Sequence, residues 1–231
     1  MTLQGKDRRP KADIQSRNYG HFKFLPYDGP MKPYSAACER NKEPILQVLK
    51  TVITRADRRL LEVGTGTGQH AEFMAPYFPQ LEWHPTDLGE RLSDLKIWHR
   101  DLRASNIQPP QRLDVSKDDF PKLKFDLVFT ANTLHIMHWK DCKAFMKLLG
   151  NRLRENSRAI FYGPFNYEGN FTSESNREFD ALLKERDPLS GIRSFEDIHN
   201  NMTKHGFELV EDVEMPANNR MLIFNRLKFI G

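Results

Sequence analysis

Apolar residues in this chain recur at two periods, and stretches of the two alternate. Arg59–Val63, Phe125–Thr130 and Ala159–Tyr162 are short, mainly apolar runs with the length of buried strands, and Leu81–Asp87 reads as the second strand, ending at Thr86-Asp87. Arg112–Val115 is a shorter candidate third strand between the second and the fourth. Lys42–Thr54 instead spaces Ile45, Leu46, Val48, Leu49, Val52 and Ile53 along one face of a helix. Helical patterns also cover Gln69–Tyr77, halted near Pro79, then Glu90–Arg103 and Lys140–Leu153. The segments 207–213 and 221–229 read as a terminal antiparallel pair. Strand–helix alternation of this kind predicts an α/β fold: a mainly parallel sheet with helices on both faces and an antiparallel terminal strand. In such sheets ligands bind outside the carboxyl ends of the strands, which makes strand-end residues informative.

The first strand ends in Glu62-Val63-Gly64-Thr65-Gly66-Thr67-Gly68-Gln69. Alternate glycines permit left-handed backbone and let a ligand lie against the main chain, and the next helix offers free N–H groups. Gly66-x-Gly68-x-x-Ala71 fits the loose dinucleotide pattern. Glu62, two residues before the first glycine, suits a cationic amino-acid group and does nothing for a pyrophosphate. The acidic-x-Gly-x-Gly-x-Gly pattern resembles motif I of class I methyltransferases, which bind S-adenosylmethionine. Asp87 closes the second strand, where a carboxylate can accept both ribose hydroxyls or cap the following helix. Asp114 ends the third strand, placed for an adenine amino group or for a turn.

After the fourth strand comes Asn132-Thr133-Leu134-His135-Ile136-Met137-His138-Trp139. No Asp/Asn-Pro-Pro-aromatic sequence is present, which argues against an exocyclic amine or amide acceptor. His135 has the chemistry of a general base for an oxygen or nitrogen acceptor, or of a packing residue that holds the loop. His135 and His138 have no third ligand at suitable spacing, so no metal is expected. Residues 163–195 are too long for a simple connection and dense in Asn, Ser, Tyr and Phe. They read as a helical lid inserted after the fifth strand, its helix capped by Ser175 with Glu178 and ended by Asp187-Pro188. Met215–Arg220 joins the last two strands; Arg220 could clamp an anion there.

Composition narrows the class. The hydrophobic fraction is 39% and the charged fraction 29%, as in soluble globular proteins, and 231 residues suffice for one domain with an insertion. The net charge is +4. Lys6, Arg8, Arg9, Lys11 and Arg17 against Asp7 and Asp13 put +3 of it on residues 1–20, read as a mobile basic tail before a domain over 21–231. A nucleic-acid footprint is expected on the folded part, so nucleic acid is not the expected partner. Cys38 and Cys142 form no framework, and neither a secretory signal nor a membrane span is visible. These features predict a cytoplasmic protein with a small-molecule substrate, and leave the oligomeric state open.

Six segments carry a family resemblance: 35–41 (Ser-Ala-Ala-Cys-Glu-Arg-Asn), 64–71, 131–137, 162–167 (Tyr-Gly-Pro-Phe-Asn-Tyr), 171–176 (Phe-Thr-Ser-Glu-Ser-Asn) and 215–220 (Met-Pro-Ala-Asn-Asn-Arg). Together they resemble the methyltransferase-like protein 26 family, the domain-of-unknown-function group 938, over roughly residues 31–226. Thr65 stands where a serine is common in that family. The resemblance implies a class I (Rossmann-like) methyltransferase fold using S-adenosylmethionine and leaving S-adenosylhomocysteine. The candidate cofactor residues are then Arg40, Glu62, Gly64, Thr65, Gly66, Gly68, His70, Asp87, Leu88, Asp114, Val115 and Asn132, with His135 as the candidate catalytic residue. Tyr162, Asn166, Tyr167, Ser173, Asn176, Asn218 and Arg220 carry over as an acceptor site. Two rival readings stand beside it: an NAD-dependent oxidoreductase, and a catalytically silent protein of the same fold that acts by binding.

Overall fold

The computed structural model describes residues 34–228; the basic tail of residues 1–20 lies outside them. Nine strands form: β1 (Arg59–Val63), β2 (Glu82–Asp87), β3 (Gln111–Arg112), β4 (Leu127–Ala131), β5 (Arg158–Gly163), β6 (Phe165–Asn166), β7 (Arg193–Ser194), β8 (Phe207–Met215) and β9 (Asn219–Arg226). Seven of them make one sheet in the order β3-β2-β1-β4-β5-β9-β8, with β9 antiparallel to both neighbours. The pairs β1–β2, β1–β4, β2–β3 and β4–β5 are parallel. The order reverses between β1 and β4, which opens a crevice at their carboxyl ends. The expected mainly parallel sheet with an antiparallel terminal strand is thus the observed one.

The helices are α1 (Ala36–Val52), α2 (Gln69–Met74), α3 (Leu92–Arg100), α4 (Trp139–Arg152), α5 (Glu174–Arg186) and α6 (Phe195–Lys204). Each central strand is apolar on both faces, as burial under helices on each side requires. Leu60, Leu127, Phe129, Ile160 and Ile223 join Ile45 and Leu49 of α1, Met74 of α2 and Trp98 of α3 in one core cluster. Leu61, Val128, Phe161 and Phe224 join Phe145 and Leu149 of α4 and Ile198 and Met202 of α6 in the other. Among the described residues no helix is long and apolar enough to cross a membrane.

Four expectations need correction. Helix α1 starts at Ala36, not Lys42, because Ser35 caps it through the Cys38 N–H. Pro44 sits inside and removes only its own hydrogen bond. Strand β3 is two residues long, because Asp114 and Asp118 close a turn: the Asp114 N–H donates to Asp118 Oδ2 at 2.7 Å. The cap of α5 is Ser173, whose hydroxyl accepts from the Asn176 N–H at 3.1 Å, not Ser175. Helix α6 went unforeseen, although Ser194 caps it and Ile198 and Met202 are spaced for one buried face.

The insertion 163–195 comprises β6, α5 and β7. Its two short strands pair in parallel and bring its ends together.

Candidate functional site

The three glycines after β1 all have left-handed backbone, with φ of +75°, +63° and +79°. What a Cβ would meet differs at each. At Gly64 it would lie 2.6 Å from Thr133 Oγ1, and at Gly68 2.3 Å from the Trp98 ring. At Gly66 nothing stands nearer than the Gly64 carbonyl at 4.0 Å. Gly64 therefore admits the loop after β4, Gly68 admits α3, and Gly66 leaves an open cradle. The turn is tied to β2, since the N–H groups of Gly64 and Thr65 both donate to Thr86 O at 3.0 Å.

Two carboxylates border this turn. Glu62 is buried, and its Oε2 accepts from Thr65 Oγ1 at 2.8 Å and Trp83 Nε1 at 2.9 Å. Burial outweighs those bonds and raises its carboxyl to about 7. Asp87 accepts from the Gly66 N–H and the Leu88 N–H, each at 2.7 Å. Burial raises Asp87 too, and those two amides oppose the rise. The first turn of α1 closes the other side. His70 Nε2 bonds Asn41 Oδ1 at 2.8 Å, and His70 Nδ1 lies 3.9 Å from Cys38 Sγ. Burial holds the His70 imidazole down at about 4. Arg40 is exposed on the same turn.

Other sequence candidates sit differently. The Asp114 carboxylate is occupied by Lys117 Nζ at 2.7 Å and by Ser116 Oγ at 2.6 Å, and the Lys117 bond leads in holding it near about 2. Val115 packs against the core cluster that holds α4. Tyr167 stacks on Phe195 and donates to Asp212 Oδ2 at 2.8 Å. Arg220 is answered by Asp212 at 2.8 Å and Glu214 at 2.9 Å, so it offers no free clamp. Ser173, Asn176 and Asn218 join α5 to the β8–β9 turn: Asn176 Nδ2 donates to Asn218 O at 3.0 Å and to Thr172 Oγ1 at 2.8 Å. Tyr162 is buried on the side of α1, and burial raises its phenol. Asn166 Oδ1 is buried without a partner.

The loop after β4 reaches the crevice. Asn132 has φ +56°, and its N–H donates to Tyr162 O at 2.9 Å. A Cβ on Gly163 would stand 3.7 Å from His135 Nδ1 and 3.9 Å from Asn132 Oδ1, so these three residues meet where β4 and β5 end. His135 is buried and takes the edge of Phe179 of α5 at 5.2 Å. Burial first, and Arg193 second, lower its imidazole to about 4. The ring is thus neutral at pH 7 and can accept a proton. Asn41 and Thr133 lie inside segments singled out in the sequence but were given no role of their own there, while nothing local to Phe179 or Arg193 points to the site.

Solved structures share this fold. Human N-acetylserotonin methyltransferase with S-adenosylmethionine is 16% identical with a TM-score of 0.70, over 83% of this chain and 53% of that one. SibL, an S-adenosylmethionine-dependent methyltransferase, is 17% identical at 0.70, over 84% and 56%. An O-methyltransferase family 2 protein from Planctomyces limnophilus, in complex with apigenin, is 14% identical at 0.70, over 83% and 60%. The chain thus spans a little over half the length of these proteins, and what it shares with them is the class I methyltransferase fold. A family model described as "Protein of unknown function (DUF938)" matches residues 32–226, which carry the glycine turn, the loop after β4 and the insertion alike: this chain belongs to the DUF938 family.

Proposed function

We propose that this protein is a methyltransferase that uses S-adenosylmethionine and acts on oxygen or nitrogen of a small polar acceptor, in the cytoplasm. The observation that carries the reading is the open cradle at Gly66, bordered by the buried acids Glu62 and Asp87. A pyrophosphate would meet two acids there, whereas an aminoacyl ammonium and a ribose are matched by them. Gly64, Thr65, Gly66 and Gly68 would seat the cofactor's methionine end, Glu62 would answer its ammonium, and Asp87 with Leu88 would hold its ribose. Arg40, His70, Val115 and Asn132 complete the proposed contacts; Asp114, its carboxylate held by Ser116 and Lys117, is left out of them. The six sequence motifs support membership of the methyltransferase-like protein 26 group as part of this reading.

When bound, the cofactor supplies an electrophilic methyl carbon on sulfur. The protein's part is to hold the acceptor in line with it, to exclude water and to take a proton. His135, neutral and buried where β4 and β5 end, is the proposed base. Its low basicity suffices because the acceptor's proton becomes far more acidic as the new bond forms. Tyr162, Asn166, Tyr167, Ser173, Asn176, Asn218 and Arg220 are the proposed acceptor side. The polar groups of most of these fasten the insertion, so they shape the wall more than they touch a ligand.

The test is thermal unfolding with S-adenosylhomocysteine and with NAD, followed by turnover on a panel of phenols and amines. S-adenosylhomocysteine at 100 times its Kd should add about 2.7 kcal/mol. His135→Asn should lower turnover by roughly 10²–10⁴ with cofactor affinity intact. Stabilisation by NAD, with none by either adenosyl compound, would overturn the assignment.

A further inference from the structure

Five consecutive residues of the loop after β4 are held by one short stretch of the insertion. Arg193 Nε donates to Leu134 O at 3.1 Å, and its Nη2 donates to Met137 O and, at 3.1 Å, to Leu189 O. The Gly191 N–H donates to His135 O at 2.9 Å. Ser190 Oγ donates to Ile136 O at 2.8 Å. His138 Nε2 and Asp187 Oδ2 are 2.6 Å apart. Residues 134–138 are therefore fixed from outside their own strand. Local bonds hold the turn as well: the Ile136 and Met137 N–H groups donate to Thr133 O, the Asp141 and Cys142 N–H groups to His138 O, and the Cys142 thiol to Leu134 O at 3.3 Å.

We propose that Arg193 is a positioning residue for the reaction: its guanidinium, presented from the insertion, clamps the carbonyls on either side of His135 and so fixes the imidazole at the ends of β4 and β5. This rests on the methyltransferase reading for its consequence, but not for its geometry. A guanidinium suits the task because its planar fork donates in several directions at once, which an ammonium on a flexible stem does not reproduce. None of the hydrogen-bonded partners is a carboxylate, so the cation keeps its charge beside the loop. His135 feels that charge. Phe179 of α5 packs on the ring, Gly163 faces both the ring and Asn132, and Asp187, which faces His138 at the end of the loop, feels the Arg193 cation as well.

The experiment compares wild type, Arg193→Lys and Arg193→Met by three readouts. These are NMR titration of His135, assigned with His135→Asn; the rate of proteolysis within 187–193; and S-adenosylhomocysteine affinity by calorimetry. Arg193→Met should raise the His135 midpoint by roughly half a pH unit, since one nearby cation is lost, and speed cleavage about tenfold through loss of the ties. Arg193→Lys should keep the midpoint low yet cleave nearly as fast, because charge is retained and the fork is not. Affinity for S-adenosylhomocysteine should change less than about twofold in either, since the glycine turn is untouched. A folded Arg193→Met with wild-type midpoint and cleavage overturns the proposal. If that variant does not fold, Arg193→Lys decides, and cleavage at the wild-type rate overturns it. Failure of wild type to bind S-adenosylhomocysteine would sink the methyltransferase reading alone, because titration and cleavage need no cofactor.

Discussion

Gly66 and Gly68 share a left-handed backbone and differ in what a methyl group would meet. Either alanine costs about 1–2 kcal/mol for that backbone. At Gly68 the methyl would also run into Trp98, adding about 1–3 kcal/mol for overpacking. Gly66→Ala should therefore fold with modest loss and bind S-adenosylhomocysteine poorly, while Gly68→Ala should be the less stable of the two. Denaturant unfolding and calorimetry on both variants check the contrast, and equal stabilities would refute it. Glu62 makes a second prediction. Its carboxyl is raised to about 7, so near pH 7 part of the population holds the proton, and a cationic ligand group beside it would expel that proton. Binding at pH 7 should release protons, read from calorimetry in two buffers of different ionisation enthalpy, and Glu62→Gln should release fewer. The presence of an acid here is legible in sequence; its burial against Trp83 and hence its shifted pKa are not.

Among elements, α5 shows how local signals compete. Ser175 with Glu178 has the better capping sequence, yet Ser173 is the cap, because Asn176 is drawn to the carbonyl of Asn218 across the hairpin turn. Ser173→Ala should cost about 1 kcal/mol in thermal unfolding, and Ser175→Ala within about 0.5 kcal/mol; the opposite ranking would restore the local reading. Helix α1 likewise extends past its apolar stripe to Ser35, held by the Asn41–His70 bond that links it to α2. Strands β1, β4 and β5 were readable because each is a buried, mainly apolar run; β2 is buried too, although Trp83 is its one large apolar residue. Helix α6 was passed over because its buried positions are few and its sequence Phe-Glu-Asp-Ile-His-Asn-Asn is mostly polar.

At the scale of the molecule, buried titratable groups set the response to acid. His70 and His135 stay neutral down to about 4 when folded but bind protons below about 6.5 when unfolded, so their stabilisation is complete above pH 6.5 and is lost as pH falls toward 4. Glu62 acts oppositely: its folded carboxyl holds a proton up to about 7, so its contribution is complete below 4.5 and is lost as pH rises through 7. Between 4.5 and 6.5 two groups oppose one. Stability should fall on acidification by about 1.4 kcal/mol per pH unit, the worth of one net proton. His70→Asn should flatten most of that slope in denaturant unfolding at pH 5 and 6.5. An unchanged slope would show that His70 is not the group that titrates.

The sequence by itself determined most of the succession of strands and helices, the mainly parallel sheet, the glycine turn with its acid, and the DUF938 family. All of these follow from periodicity, backbone sterics and short motifs that act within about ten residues. Tertiary structure decided which polar groups remained available to a ligand. Asp114 was taken by Ser116 and Lys117, Arg220 by Asp212 and Glu214, and Asn176 by Asn218, while Arg193 was brought onto the loop that carries His135. Apart from the Asp114 turn and the Arg220 pairings inside the β8–β9 hairpin, these pairings join residues that only the docking of the insertion brings together. A hydrogen bond between side chains depends on ångström-scale distances, and no spacing along the chain encodes those.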